Sequence, residues 1–164
     1  MKKMMLTALV AVITMVSVNA QENIVKFNPL ALVVGSLELG YETTITDKSS
    51  IQVDLGYVNF DSSGLDYTGF GAGLQYRMYL QEKDVLVGWF AGPYASYASS
   101  KADDLKVSVL SGGAVVGYQW NWNPITLDLY GGPGYFSIDA DEQDFDFGFD
   151  GFGLKLGFSI GYSF

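Results

Sequence analysis

The last fourteen residues, GFGLKLGFSIGYSF (151–164), separate by parity. Even positions are bulky and apolar: Phe152, Leu154, Leu156, Phe158, Ile160, Tyr162 and Phe164. Odd positions are small or polar: Gly151, Gly153, Lys155, Gly157, Ser159, Gly161 and Ser163. Successive side chains of a strand point to opposite faces, so this segment reads as a strand with two unlike faces. The fold turns on which face looks inward.

The same period recurs upstream. Leu37, Leu39, Tyr41, Thr43 and Ile45 alternate with Glu38, Gly40, Glu42 and Thr44. Ile51, Val53, Leu55 and Tyr57 alternate with Gln52, Asp54 and Gly56. Phe70, Ala72, Leu74, Tyr76, Met78 and Leu80 alternate with Gly71, Gly73, Gln75, Arg77 and Tyr79. In the next segment Val85, Val87, Trp89 and Ala91 form the apolar set, blurred by Leu86 and Phe90. Residues 105–120 are ambiguous in phase, with Leu110, Ala114, Val116 and Tyr118 favoured as one face. Ile125, Leu127 and Leu129 alternate with Thr126, Asp128 and Tyr130.

Seven strands follow from these patterns, at 37–45, 51–60, 67–80, 85–98, 105–120, 125–138 and 147–164. The connections TDKSS (46–50), QEKD (81–84) and NWNP (121–124) are short. DSSGLD (61–66), SSKADD (99–104) and DADEQDFD (139–146) read as longer, acidic loops. Short and long alternate, as they do at opposite ends of an up-and-down barrel. Single-chain bacterial barrels have an even strand number. The missing strand is expected at NIVKFNPLALVV (23–34), with Gly35-Ser36 as a tight turn and Pro29 at a bulge or near the strand start. Eight strands result.

An eight-stranded barrel has an interior just wide enough for side chains to fill. Roughly forty bulky residues, about five per strand, would not fit there. Facing outward, they leave Gly71, Gly73, Gly151, Gly153, Gly157 and Gly161 to relieve crowding inside. Glu38, Glu42, Asp54 and Asp128 then point inward, with Arg77 and Lys155 to neutralise them. A largely uncharged outer wall is rewarded by hydrocarbon, and each segment meets the roughly 9–11 residues a tilted membrane strand needs. The expected fold is therefore an all-β, eight-stranded antiparallel up-and-down transmembrane barrel. Tyr41, Tyr79, Trp120, Trp122 and Tyr162, near strand ends, are expected at the headgroup layer. The alternative is an exported soluble lipocalin-like barrel that binds a small apolar ligand.

The N-terminus supports export. Lys2 and Lys3 precede an apolar run, Met4 to Val16, and Val18-Asn19-Ala20 offers small residues for cleavage, so residues 1–20 read as a signal peptide and 21–164 as the barrel domain. Its removal leaves 7 basic against 18 acidic residues, which argues against a nucleic-acid partner. Cysteine is absent, so strand pairing must hold the fold without disulfides. Histidine is absent too, removing the commonest general base and most zinc sites.

The signal peptide, the alternating strands and GFSIGYSF (157–164) ending on Phe164 resemble the small outer-membrane β-barrel proteins of Gram-negative bacteria. KFNPLAL (26–32), LGYE (39–42) and DKSS (47–50) are similar to one family of such barrels whose function is uncharacterised. The resemblance implies a monomer in the bacterial outer membrane, surrounded by lipid and lipopolysaccharide. It also implies that Phe164 is read by the outer-membrane assembly machinery. It carries over no catalytic residue.

No catalytic, cofactor or metal site is expected. Asp139, Asp141, Glu142, Asp144, Asp146 and Asp150 could supply oxygens to Ca²⁺, but the run lacks the glycine and glutamate of an EF-hand and reads as a solvated loop. The inward carboxylates have cations to pair with, and the serines have no histidine to activate them. GGPGYF (131–136) lies on a strand with no following helix or P-loop lysine, so nucleotide binding is not expected. Eight strands also argue against an open aqueous channel.

Overall fold

The computed structural model describes residues 23–33, 35–62, 65–81, 86–102, 105–142 and 145–164. Eight strands close into one up-and-down antiparallel barrel. They are β1 (Asn23–Phe27), β2 (Ser36–Thr46), β3 (Ser49–Ser62), β4 (Leu65–Tyr79), β5 (Gly88–Ala102), β6 (Leu105–Asn121), β7 (Ile125–Glu142) and β8 (Phe145–Ser163). A short helix, α1 (Pro29–Val33), lies between β1 and β2. β1 closes the barrel by pairing with both β2 and β8, from Ile24↔Ser163 to Phe27↔Ile160 on the latter side. The expected signal peptide lies outside the described residues.

The parity read from 151–164 holds. Phe152 is 88% exposed and Leu156 80%, whereas Ser159 is 7% exposed and Gly161 is buried. Leu55, Phe70, Leu74, Leu110, Val116 and Leu129 are likewise exposed, while Glu42, Gln75, Arg77, Gln119 and Asp128 are buried. The barrel is apolar outside and polar within. The favoured phase of β6 is the observed one, with Val115 and Gln119 inside and Leu110, Ala114 and Val116 outside.

Three expectations need correction. First, the stretch expected as one strand over 23–34 makes only five residues of β1 and then turns into α1. Asn28 caps this helix, its Oδ1 accepting from the Leu30 and Ala31 amides at 3.0 and 3.4 Å. Pro29 sits at the first helical position, where its missing N–H is no loss. Gly35, at φ 72°, follows the helix in the left-handed conformation that glycine adopts without strain.

Second, the acidic connections are mostly paired strand. β3–β4 pairing continues to Ser62↔Leu65, β5–β6 to Ala102↔Leu105 and β7–β8 to Glu142↔Phe145. Serine, aspartate and glycine read as a loop, but a hairpin wetted on both faces needs no apolar alternation to stay paired. Residues 63–64, 103–104 and 143–144 lie outside the described set.

Third, the strand expected from 85 begins at Gly88. Leu86 occupies a buried turn at φ 69°, and Phe90 faces inward. The first and last described residues, Asn23 and Phe164, lie at the end opposite the long hairpins, where they exchange backbone hydrogen bonds of 3.1 and 2.9 Å.

Candidate functional site

The functional groups converge in the half of the lumen nearer the termini. Lys26 on β1, Glu42 on β2, Arg77 on β4 and Asp128 on β7 all point to one place, and none is more than 2% exposed. Lys26 Nζ lies 2.5 Å from both Glu42 Oε2 and Asp128 Oδ2. Arg77 Nη1 donates to Asp128 Oδ2 at 2.6 Å and stands 3.3 Å from Glu42 Oε2. Two cations and two carboxylates form a neutral quartet that crosses the lumen, since Arg77 and Asp128 stand on β4 and β7, three strands apart.

A shell of neutral groups completes it. Lys26 Nζ also donates to Gln52 Oε1 at 2.9 Å and Gln119 Oε1 at 2.7 Å. Tyr79 Oη donates to Glu42 Oε1 at 2.8 Å, and Ser50 Oγ donates to the same oxygen. Ser159 Oγ donates to Asp128 Oδ1 at 2.5 Å. The Arg77 guanidinium carbon lies 4.3 Å from the Phe90 ring centroid and 5.2 Å from that of Tyr130, so the aromatic faces meet the cation where carboxylates do not. Among the described residues, Arg77 Nη2 and Gln75 Nε2 have no hydrogen-bond partner. Gln119 Nε2 donates to the Leu86 carbonyl at 2.8 Å and so holds that strained turn against the terminal end of the lumen.

The other half of the lumen is open. A cavity of about 280 Å³ opens toward the long hairpins, walled by Gly56, Gly71, Gly73, Ser96 and Ala98 and bordered by Glu38, Asp54 and Lys155. These three charges do not join the quartet. Glu38 Oε2 accepts from Asn28 Nδ2 at 2.7 Å, and Asp54 Oδ1 accepts from Gln52 Nε2 at 2.7 Å. Lys155 Nζ lies 4.6 Å from the Tyr94 ring centroid. Among the described residues, every salt bridge belongs to the quartet, so the expected neutralisation by Lys155 is replaced by Lys26.

Two of the interior groups were misplaced from sequence. Lys26 is not among the residues expected in the lumen, because the alternation leaves the phase of its short strand open. Tyr79 was expected at the rim but is 2% exposed inside; its parity with Arg77 was the available signal. Tyr41 is half-buried, its hydroxyl donating to Asn23 Oδ1 at 2.8 Å. Trp122 and Tyr162 are exposed on the outer wall, and Trp120 is partly exposed there. In the acidic stretch, Asp139 and Asp150 are exposed, while the side chains of Asp141, Glu142, Asp144 and Asp146 lie outside the described residues. Among the described residues no three carboxylates converge on a metal-sized site.

The quartet can brace opposite walls and block passage along the axis. Its carboxylates are committed to cations, so they are poorly placed to exchange protons with a substrate. Comparison with known proteins adds the family. No curated protein matches the chain. A family model described as "Protein of unknown function (DUF3575)" matches residues 4–164, nearly the whole sequence, and the chain belongs to that family.

Proposed function

We propose that this protein is an integral barrel of the bacterial outer membrane, with a structural or surface-interaction role and no catalysis. The observation that carries the reading is the reversal of polarity across the wall. A charged quartet lies at the centre, and large apolar side chains such as Phe152, Leu154 and Leu156 lie exposed around it. Water does not reward so much exposed apolar surface, whereas hydrocarbon does. Strands of 14 to 19 residues from β3 to β8 exceed the roughly 9–11 needed to cross, so the paired hairpins extend beyond the bilayer. The cavity at the hairpin end is bordered by Glu38, Asp54 and Lys155, a poor lining for the apolar ligand of a lipocalin-like protein.

Fractionation of the expressing cells, with electrophoresis of boiled and unboiled samples, tests the reading. Recovery in the outer membrane with heat-dependent migration is expected; a soluble periplasmic protein of constant mobility would overturn it. Within the same assay Leu156→Arg should lower membrane levels, because arginine near the bilayer midplane costs about 2–4 kcal/mol. Asp47→Arg, in an exposed turn, should leave them unchanged.

A further inference from the structure

The mature chain has 7 basic residues, and their placement is uneven. Lys26 and Arg77 are buried in the lumen, and Lys155 borders its cavity. Lys48 occupies the exposed turn between β2 and β3, and Lys83 lies outside the described residues. The remaining two, Lys101 on β5 and Lys106 on β6, are exposed and are direct register partners. Like charges directly opposite one another on paired strands repel. In so acidic a chain, strand pairing gives no reason for this arrangement.

The register continues on either side. Thr68 partners Lys101 from β4, Asp141 partners Lys106 from β7, and Asp146 partners Asp141 from β8. Cations and anions are therefore grouped along the row. A row arranged to neutralise itself would alternate them. Beside the lysines runs a groove of about 410 Å³, lined by Tyr57, Phe70, Tyr97 and Ser99 together with both lysines. The Phe70 and Tyr97 rings stand 6.1 Å apart, and the Ser99 and Ser108 hydroxyls are hydrogen-bonded at 3.2 Å. Positive charge at one end, hydroxyls between and aromatic faces at the other complement an amphiphile that carries a phosphate.

We propose that Lys101 and Lys106 hold the phosphate of a phosphorylated glycolipid of the outer leaflet, of the lipopolysaccharide class, with an acyl chain lying against Tyr57, Phe70 and Tyr97. The proposal rests on the membrane reading above. The pair sits toward the long hairpins, opposite the termini, so one face of the bilayer supplies the ligand. Binding the anion relieves the repulsion that the paired lysines otherwise impose, and the register-partner carboxylate, Asp141, lies on the far side of Lys106 from Lys101.

The test uses the purified mature barrel in nonionic detergent, titrated with diphosphorylated lipid A, with its dephosphorylated counterpart and with inorganic phosphate, and read by native mass spectrometry and thermal melting. Diphosphorylated lipid A should bind at least tenfold tighter than the dephosphorylated lipid and raise the melting temperature; inorganic phosphate at equal concentration should not. The double variant Lys101→Gln/Lys106→Gln should lose the preference, Lys106→Gln alone should weaken it, and Lys48→Gln should keep it. Without lipid, the double variant should melt no lower than the parent, which shows that it is folded. Equal affinity for the two lipids, an undiminished preference in the double variant, or equal protection by inorganic phosphate would each overturn the site. If the barrel needs detergent and migrates heat-dependently yet shows no preference, only the lipid site fails. If it stays soluble without detergent, the membrane reading fails and the site with it.

Discussion

Around Arg77 the lumen is filled by Glu42, Gln52, Gln75, Tyr79, Phe90 and Asp128, each at most 2% exposed. Four residues along β3 from Gln52 stands Gly56, and four along β4 from Gln75 stands Gly71, where the wall recedes into the open cavity. The strands and their inward faces are the same in both regions; only the side-chain volume differs. In a barrel of this strand number the interior is marginal, so a few glycines decide locally between plug and vestibule. The filled half should therefore be stiff and intolerant of change, and the open half permissive.

The sharpest way to break this contrast is Asp128→Ala. It leaves Lys26 and Arg77 buried against a single carboxylate, and removing one partner of a buried pair costs about 3–5 kcal/mol. Thermal melting of the refolded barrel, followed by its heat-dependent migration, should show that loss. An unchanged midpoint would mean that the quartet contributes nothing to stability.

Pairing between Lys26 and Asp128, which flank β8, can be isolated with Lys26→Met and Asp128→Leu. The double variant should be less damaged than the sum of the singles, by on the order of 0.5–3 kcal/mol, because Arg77 and Glu42 remain as a matched pair. Strict additivity in denaturant unfolding would show that Lys26 and Asp128 do not depend on each other.

Overpacking the filled half should cost less. At Gly117 an added Cβ would stand 2.5 Å from Tyr130 Cβ and 2.6 Å from the Phe90 ring. Gly117→Ala is expected to destabilise by about 1–3 kcal/mol. In the open half, an added Cβ at Gly56 meets nothing nearer than the Gly71 nitrogen at 4.0 Å. Gly56→Ala should be harmless or stabilise by up to about 1 kcal/mol, because glycine within a strand loses more backbone freedom on folding. Comparable losses for both variants in one melting experiment would erase the distinction between the two halves.

Strand number, antiparallel order and the outward direction of the bulky residues were legible from the chain alone. All three follow from a period-two pattern, which is a local property of strand geometry. Asp128 and Arg77 were found inside for the same reason, each alternating with obvious wall residues such as Leu129 and Tyr76. The short β1 was harder. NIVKF (23–27) offers only five paired residues, and Asn28-Pro29 then caps a helix rather than continuing the strand. The pairing of 61–62 with 65–66, of 99–102 with 105–108 and of 139–142 with 145–148 stayed hidden because a ladder can persist without a clear apolar alternation.

Which inward groups meet was decided by closure. Arg77 and Asp128 are 51 residues apart on strands that never pair, yet they stand in contact across the lumen. Lys155 and Glu38 share the inward face but fall at the cavity, where glycines keep the walls apart. Parity assigns a side chain to a face of the sheet. Its height on the axis and its partner across the lumen depend on the register of every ladder around the ring, and that register exists only once β1 has paired with β8.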